Sequence, residues 1–221
     1  MQLKIKRVKT RGEILNFILE KPNNFNFYPG QYLDVEISDA DDPLGKTRAF
    51  TISSSPTENF LMLSIKKGLS VYKKHLLNLK AGDYLNASHP VGTFILDETE
   101  SAVMVAGGIG ITPFRSMIKY CLDQKTTIPI TLIYSNSDDN FPFKEELDRW
   151  VNILPNLQII YLNTTNQGRL DTSKLATIVQ KNDNIIYYLA GSPSFVDNME
   201  EILLKLGLDE TNIRYDRFDG Y

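Results

Sequence analysis

Residues 102–114 read AVMVAGGIGITPF, and the reading of this stretch decides the fold. Ala102 to Ala106 form a short apolar run of strand length. Three glycines follow at Gly107, Gly108 and Gly110. Phe114, Met117, Ile118, Cys121 and Leu122 then fall at i, i+3, i+4, i+7 and i+8, the stripe of an amphipathic helix. Strand, glycine loop and helix in this order make the first unit of a parallel α/β sheet. Further apolar runs begin at Pro129, Leu157, Ile185 and near Asn212, at intervals of 27, 28, 28 and 27 residues. That spacing fits repeated βα units. Phe195, Val196, Met199, Ile202, Leu203 and Leu206 form a second helical stripe, closed by Gly207 as a C-terminal cap. Residues 99–221 are therefore expected to fold as an α/β domain around a parallel five-stranded sheet.

Before the polar segment DETES at 97–101 the rhythm is different. Leu15/Phe17/Leu19, Leu33/Val35/Ile37 and Leu61/Leu63/Ile65 alternate with period two, the mark of half-buried antiparallel strands. Pro29-Gly30, the DADDPLG stretch and Ala81-Gly82-Asp83 supply turns between them. One helix is predicted from about Val71 to Leu79, with Ser70 placed to cap it. Residues 1–98 thus read as a separate antiparallel domain, a small β-barrel or sandwich.

Bulk properties exclude several classes. The chain has 221 residues and a net charge of −3, with no basic patterning for nucleic acid. No apolar run has membrane-spanning length, and the opening MQLKIKRVKTRGEI lacks a signal peptide's apolar stretch, so a cytoplasmic location is expected. Cys121 is the single cysteine, which excludes intramolecular disulfides and a Cys-ligated iron–sulfur cluster. His75 and His89 are isolated, and no metal site is expected. Redox chemistry in this chain would need an organic cofactor.

At the strand–helix junction after Ala106, free amides and the positive end of the helix favour a phosphate, and glycines let a pyrophosphate approach. Thr112 is a good N-cap and Pro113 a good first helical residue. A structural glycine turn is the other reading of the same residues. The acidic residue that a dinucleotide fold places about 20 positions on is absent; Ser135 and Asn136 stand at the tip of the second strand.

Seven stretches carry a resemblance across nearly the whole chain: PGQY at 29–32, RAFTISS at 48–54, KGLS at 67–70, HPVGTF at 89–94, GGIGITP at 107–113, AGSPSFVDNM at 190–199 and the ending RYDRFDGY. In this order they resemble the ferredoxin–NADP reductase family of flavoproteins, in which a β-barrel binds FAD and an α/β domain binds NAD(P)H. The resemblance implies flavin contacts from Arg48, Ala49, Phe50, Thr51, Ser53, Ile65, Lys67, Gly68, Leu69 and Ser70. Arg48 would grip the pyrophosphate and Phe50, where the family usually has Tyr, would stack on the isoalloxazine. Thr51 would hydrogen-bond near flavin N5, Ser53 would add backbone and hydroxyl contacts, and Gly68 and Ser70 would add helix N-terminal donors. For the nicotinamide nucleotide the resemblance implies Gly107, Gly108, Gly110, Ile111, Thr112, Pro113, Ser135, Asn136, Gly191, Ser192 and Pro193. The catalytic set would be Thr51, Ala190 and Tyr221.

Three departures qualify what the resemblance implies. Ala190 stands where the family commonly has a cysteine beside the nicotinamide. YSNSDDN at 134–140 lacks the arginine typical of NADPH users, so NADH is expected over NADPH unless Arg115, Lys144 or Arg149 folds back. Tyr221 would act as a movable aromatic lid over the flavin. The expected function is hydride transfer from NADH, or NADPH, onto FAD. Electrons would then go to a separate acceptor such as ferredoxin, flavodoxin, a haem protein or a small molecule. The alternative is a non-catalytic flavin- or nucleotide-binding subunit that feeds or regulates a larger complex.

Overall fold

The computed structural model describes residues 1–37, 42–179 and 184–218. The chain divides into two compact units. One holds Met1–Leu96 together with Thr112–Tyr120; the other holds Asp97–Ile111 and the described residues from Cys121 on.

In the first unit six strands form one antiparallel sheet: β1 (Gln2–Arg11), β2 (Ile14–Glu20), β3 (Tyr32–Glu36), β4 (Thr47–Thr51), β5 (Phe60–Lys66) and β6 (Tyr84–Ala87). Their order is β4-β3-β6-β1-β2-β5. An Ile52–Leu63 bridge and the Ser53 N–H to Met62 C=O bond join the two outer strands, which makes the sheet barrel-like. The period-two pattern sends Leu15, Phe17, Leu19, Leu33, Val35, Leu61, Leu63 and Ile65 into one core. Helix α1 (Val71–Asn78) closes this core with Tyr72 and Leu76, four residues apart on one face. Ser70 caps it as expected, accepting from the Lys73 amide. The Tyr72 hydroxyl donates to the Val35 carbonyl at 2.8 Å, so the ring is fixed at both ends.

The second unit is built on a five-stranded parallel sheet of β7 (Ser101–Gly107), β8 (Ile130–Asn136), β9 (Leu157–Asn163), β10 (Ile185–Gly191) and β11 (Ile213–Arg217). Its helices are α3 (Lys144–Val151), α4 (Thr164–Gln167), α5 (Thr172–Ala176) and α6 (Pro193–Lys205), while α2 (Ile111–Gln124) has Thr112–Tyr120 in the first unit and its two ends in the second. Strand order is β11-β10-β7-β8-β9, so the chain builds outward from β7 in one direction and then returns to its other side. β10 is buried along its whole length, as a central parallel strand must be. Val196, Met199, Ile202 and Leu203 of α6 pack into the core, and Gly207 takes the left-handed conformation (φ 84°) that ends the helix. Cys121 lies wholly inside, and burial pushes its thiol up to about 11, which removes it from thiolate chemistry. Among the described residues no helix is long and apolar enough to cross a membrane.

Candidate functional site

In the first unit, β4 presents Thr47 and Ala49 outward and Arg48 and Phe50 toward α1. The Arg48 guanidinium lies 5.0 Å from the Tyr72 ring centroid. Its Nη1 donates to the carbonyls of Leu44, Gly45 and Thr47 at 2.7, 3.0 and 2.9 Å. Its Nη2 meets Asp42 Oδ1 at 2.8 Å. The same carboxylate accepts from the Leu44 amide and, through Oδ2 at 3.0 Å, from the Tyr72 amide in the first turn of α1. Those amide bonds, with Arg48 and the Ser70 hydroxyl, hold Asp42 below the usual carboxylate range. A guanidinium fork and a helix-end amide converging on one anion form a donor set that suits a phosphate. Gly68 lies beside this cluster, with a Cβ at its position only 2.5 Å from the Lys73 stem.

Several expected flavin contacts are placed differently. Phe50 is 2% exposed and stacks on Tyr72 at 6.1 Å, so its ring belongs to the core and is not offered at the surface. The reason is the β4 alternation, which gives Phe50 the inward face of a strand covered by α1. Ser53 is likewise an interior residue. Its amide donates to Met62, its hydroxyl to Ser64 Oγ at 3.0 Å, and its carbonyl accepts from Arg115. Ile65 is a core side chain and Thr51 is buried. The Lys67 amide is taken by the Glu13 carbonyl, while Ala49, Leu69 and Ser70 are exposed. Tyr221 lies outside the described residues.

In the second unit the candidate site stands where the strand order reverses, at the carboxyl ends of β7 and β10. Ligands of open α/β sheets bind at such a switch point. Gly107 and Gly191 end these strands, and a Cβ on either would come within 3 Å of the Phe195 ring. Gly110 is closer still: its Cβ would collide with the Ala190 carbonyl. Gly108 has φ +55°, and its carbonyl accepts from the Tyr134 hydroxyl at 3.0 Å. Ser192 caps α6 by accepting from the Phe195 amide, with Pro193 as its first residue.

The start of α2 differs from the sequence expectation. A tight turn over Gly108–Gly110 runs directly into the helix, so Ile111 is its first residue and Gly110 stands at the cap. Thr112 is thus the second helical residue and 2% exposed, not the N-cap. Pro113 moves to the third position, still among the first amides that lack a helical partner. Ile111 and Ala190 are fully buried. Ser135 is buried at the end of β8. Asn136 Nδ2 closes the following loop by donating to Asp138 Oδ1 and to the Asp138 and Asn140 carbonyls. Asp139 Oδ1 accepts from Asn163 Nδ2 at 2.8 Å. Arg115 is buried against Glu58, and Lys144 pairs with Asp148 at 2.7 Å over the Tyr161 ring.

Sequence reading passed over Asp42, Tyr72 and Tyr134, and took Phe195 only as part of a helical stripe. Tyr72 carried a signal, since it stands four residues before Leu76 just after the Ser70 cap. Asp42 carried none, because DADDPLG reads as a turn and its three aspartates look alike.

Residues 104–201 match the family of oxidoreductase NAD-binding domains. A flavohemoprotein of Oceanobacillus iheyensis is 25% identical over 234 residues, covering 97% of this chain and 57% of its own. The chain therefore spans little more than half the length of that relative. The flavohem-like FAD/NAD-binding domain of a Vibrio cholerae nitric oxide dioxygenase superposes with a TM-score of 0.82 at 19% identity, covering 98% of each chain. A ferredoxin–NADP reductase of Neisseria gonorrhoeae, solved with bound FAD and NADP, gives 0.79 at 18%, again over 98% of each. Both structures share the two-unit fold described above.

Proposed function

We propose that this chain, a member of the ferredoxin–NADP reductase-like family of FAD/NAD(P)-binding proteins, takes hydride from NADH onto FAD and passes the electrons to a separate acceptor. The observation that carries this reading is the convergence of Arg48 and the Tyr72 amide on a single anionic group. The flavin half of the work falls to residues 1–98 and the nucleotide half to 99–221. Bound FAD supplies the redox chemistry, exchanging electrons in pairs with nicotinamide and singly or in pairs with an acceptor.

The chain's own residues bind and orient. Arg48, the Ser70 hydroxyl and the first-turn amides of α1 hold the flavin pyrophosphate, with Gly68 leaving room beside them. Thr51 stands nearest the reacting ring in this assignment. Gly107, Gly108 and Gly110 keep Cβ atoms away from the nucleotide, while Tyr134 holds the Gly108 carbonyl in place. Ser192, Pro193 and Gly191 shape the opposite wall. Ala190 contributes only a buried methyl, so hydride transfer relies on close approach of donor and acceptor. Asp138 and Asp139 beyond β8 disfavour a 2′-phosphate, which selects NADH. The acceptor is a protein or a small molecule outside this chain.

The small side chain at Ala190 also favours a second reading, a flavin- or nucleotide-binding subunit without catalysis. Anaerobic titration with NADH separates the two. We expect the protein to take up FAD, turn yellow and bleach on adding NADH. Bound flavin that stays oxidised in excess NADH and NADPH would establish the second reading, and a protein that takes up no flavin would overturn both.

A further inference from the structure

The donors assigned to the flavin phosphates are held by the protein itself. Asp42 has a side chain only 1% exposed, and it takes Arg48 Nη2 at 2.8 Å, the Leu44 amide at 3.0 Å and the Tyr72 amide at 3.0 Å. Its charged partner is Arg48, and Arg48 in turn acts on Lys73. The Lys73 ammonium is pulled down first by burial and then by the positive charges of Lys66 and Arg48. Lys73 also folds over Gly68, the residue whose missing side chain leaves space beside the cradle. Lys73 thus senses Arg48, the cation that Asp42 holds at 2.8 Å, so positive charge extends beyond the single pair.

We propose that Asp42 is a built-in competitor for the flavin pyrophosphate, occupying its donors and yielding them when the cofactor binds. The inference rests on the flavin reading given above. A carboxylate oxygen and a phosphate oxygen take the same donors in the same geometry, so Arg48 Nη2 and the Tyr72 amide serve one anion or the other. Both anions a few ångströms apart in a shielded site would repel strongly. Flavin therefore binds only the fraction of molecules in which Asp42 has turned away, and its apparent affinity falls by that fraction. Asp42 thereby sets flavin affinity without touching the reacting ring.

The test uses the flavin-free full chain as wild type, Asp42→Asn and Asp42→Ala. FAD affinity is read by quenching of flavin fluorescence, and inorganic pyrophosphate binding by its effect on thermal unfolding. We expect both variants to bind FAD at least about tenfold more tightly, the scale of one charge-assisted contact released. Pyrophosphate should raise their Tm more than that of the wild type. Equal or weaker binding of both probes by the variants would overturn the proposal and make Asp42 a positioning residue for Arg48. If no form binds FAD but pyrophosphate still favours the variants, the competition stands and the flavin reading falls. If no form binds either probe, both fall. Asp42→Asn keeps the shape and one acceptor oxygen, and it decides the matter should Asp42→Ala not fold.

Discussion

Gly110 has an ordinary helical backbone, φ −59° and ψ −3°, so its need for glycine is one of space. An added Cβ would strike the carbonyl of Ala190, a backbone atom in the middle of a parallel sheet that has no rotamer to escape into. Gly110→Ala is therefore expected to lower stability by about 1–3 kcal/mol, the cost of overpacking a rigid contact. The drop is read from the urea midpoint; an unchanged midpoint would mean that the loop relaxes freely. Tyr134 works on the same loop from beneath. It is fully buried, and its hydroxyl, pushed well above the ordinary tyrosine range by burial, stays a donor to the Gly108 carbonyl. Tyr134→Phe should cost about 0.5–1.5 kcal/mol and raise KM for NADH with little change in kcat, as loss of a positioning bond does. A fall in kcat at unchanged KM would place Tyr134 nearer the chemistry than the structure does.

At the scale of elements, α2 is informative because it is buried on more than its apolar stripe. Phe114, Met117, Ile118 and Cys121 are fully inside, as their spacing predicts, but so are Arg115 and Ser116. Within the first unit Arg115 donates to the Ser53 carbonyl at 2.9 Å and bidentately to Glu58 at 2.8 and 3.2 Å. Ser116 donates to the Ser54 carbonyl at 2.7 Å. These bonds fasten the helix to the turn between β4 and β5. Arg115→Met would leave Glu58 as a carboxylate without its buried partner, at a cost of about 3–5 kcal/mol. The double change Arg115→Met/Glu58→Met should recover most of that loss in chemical unfolding. Equal losses in the single and double variants would show that the helix depends on the other Arg115 contacts instead.

At the scale of the whole molecule, the proposed preference for NADH follows from which of the candidate cations are already paired. Arg115 is committed to Glu58 and Lys144 to Asp148, while Asp138 and Asp139 stand beyond β8. We expect kcat/KM for NADH to exceed that for NADPH by at least about tenfold, equivalent to one lost charge-assisted partner. A higher value with NADPH would point to another cation, such as Arg149, exposed on α3, reaching the 2′-phosphate. The flavohemoprotein relative is nearly twice as long as the matched region.

Periodicity is a local property, and the chain's two rhythms were enough to determine two architectures. Alternation over Leu15–Leu19 and Leu61–Ile65 requires half-buried strands, and the regular spacing of apolar runs after Ala102 requires βα units. Caps such as Ser70 and Gly207 were equally legible, because they satisfy bonds within a few residues. What tertiary structure alone decided is which polar groups meet. Asp42 reaches Tyr72 across 30 residues and Arg115 reaches Glu58 across 57. Phe50 faces the core only because α1 folds over β4, and Thr112 loses the cap only because Gly110 must pass under Ala190. Such partners are set by where separate elements come to lie, and no local pattern carries that information.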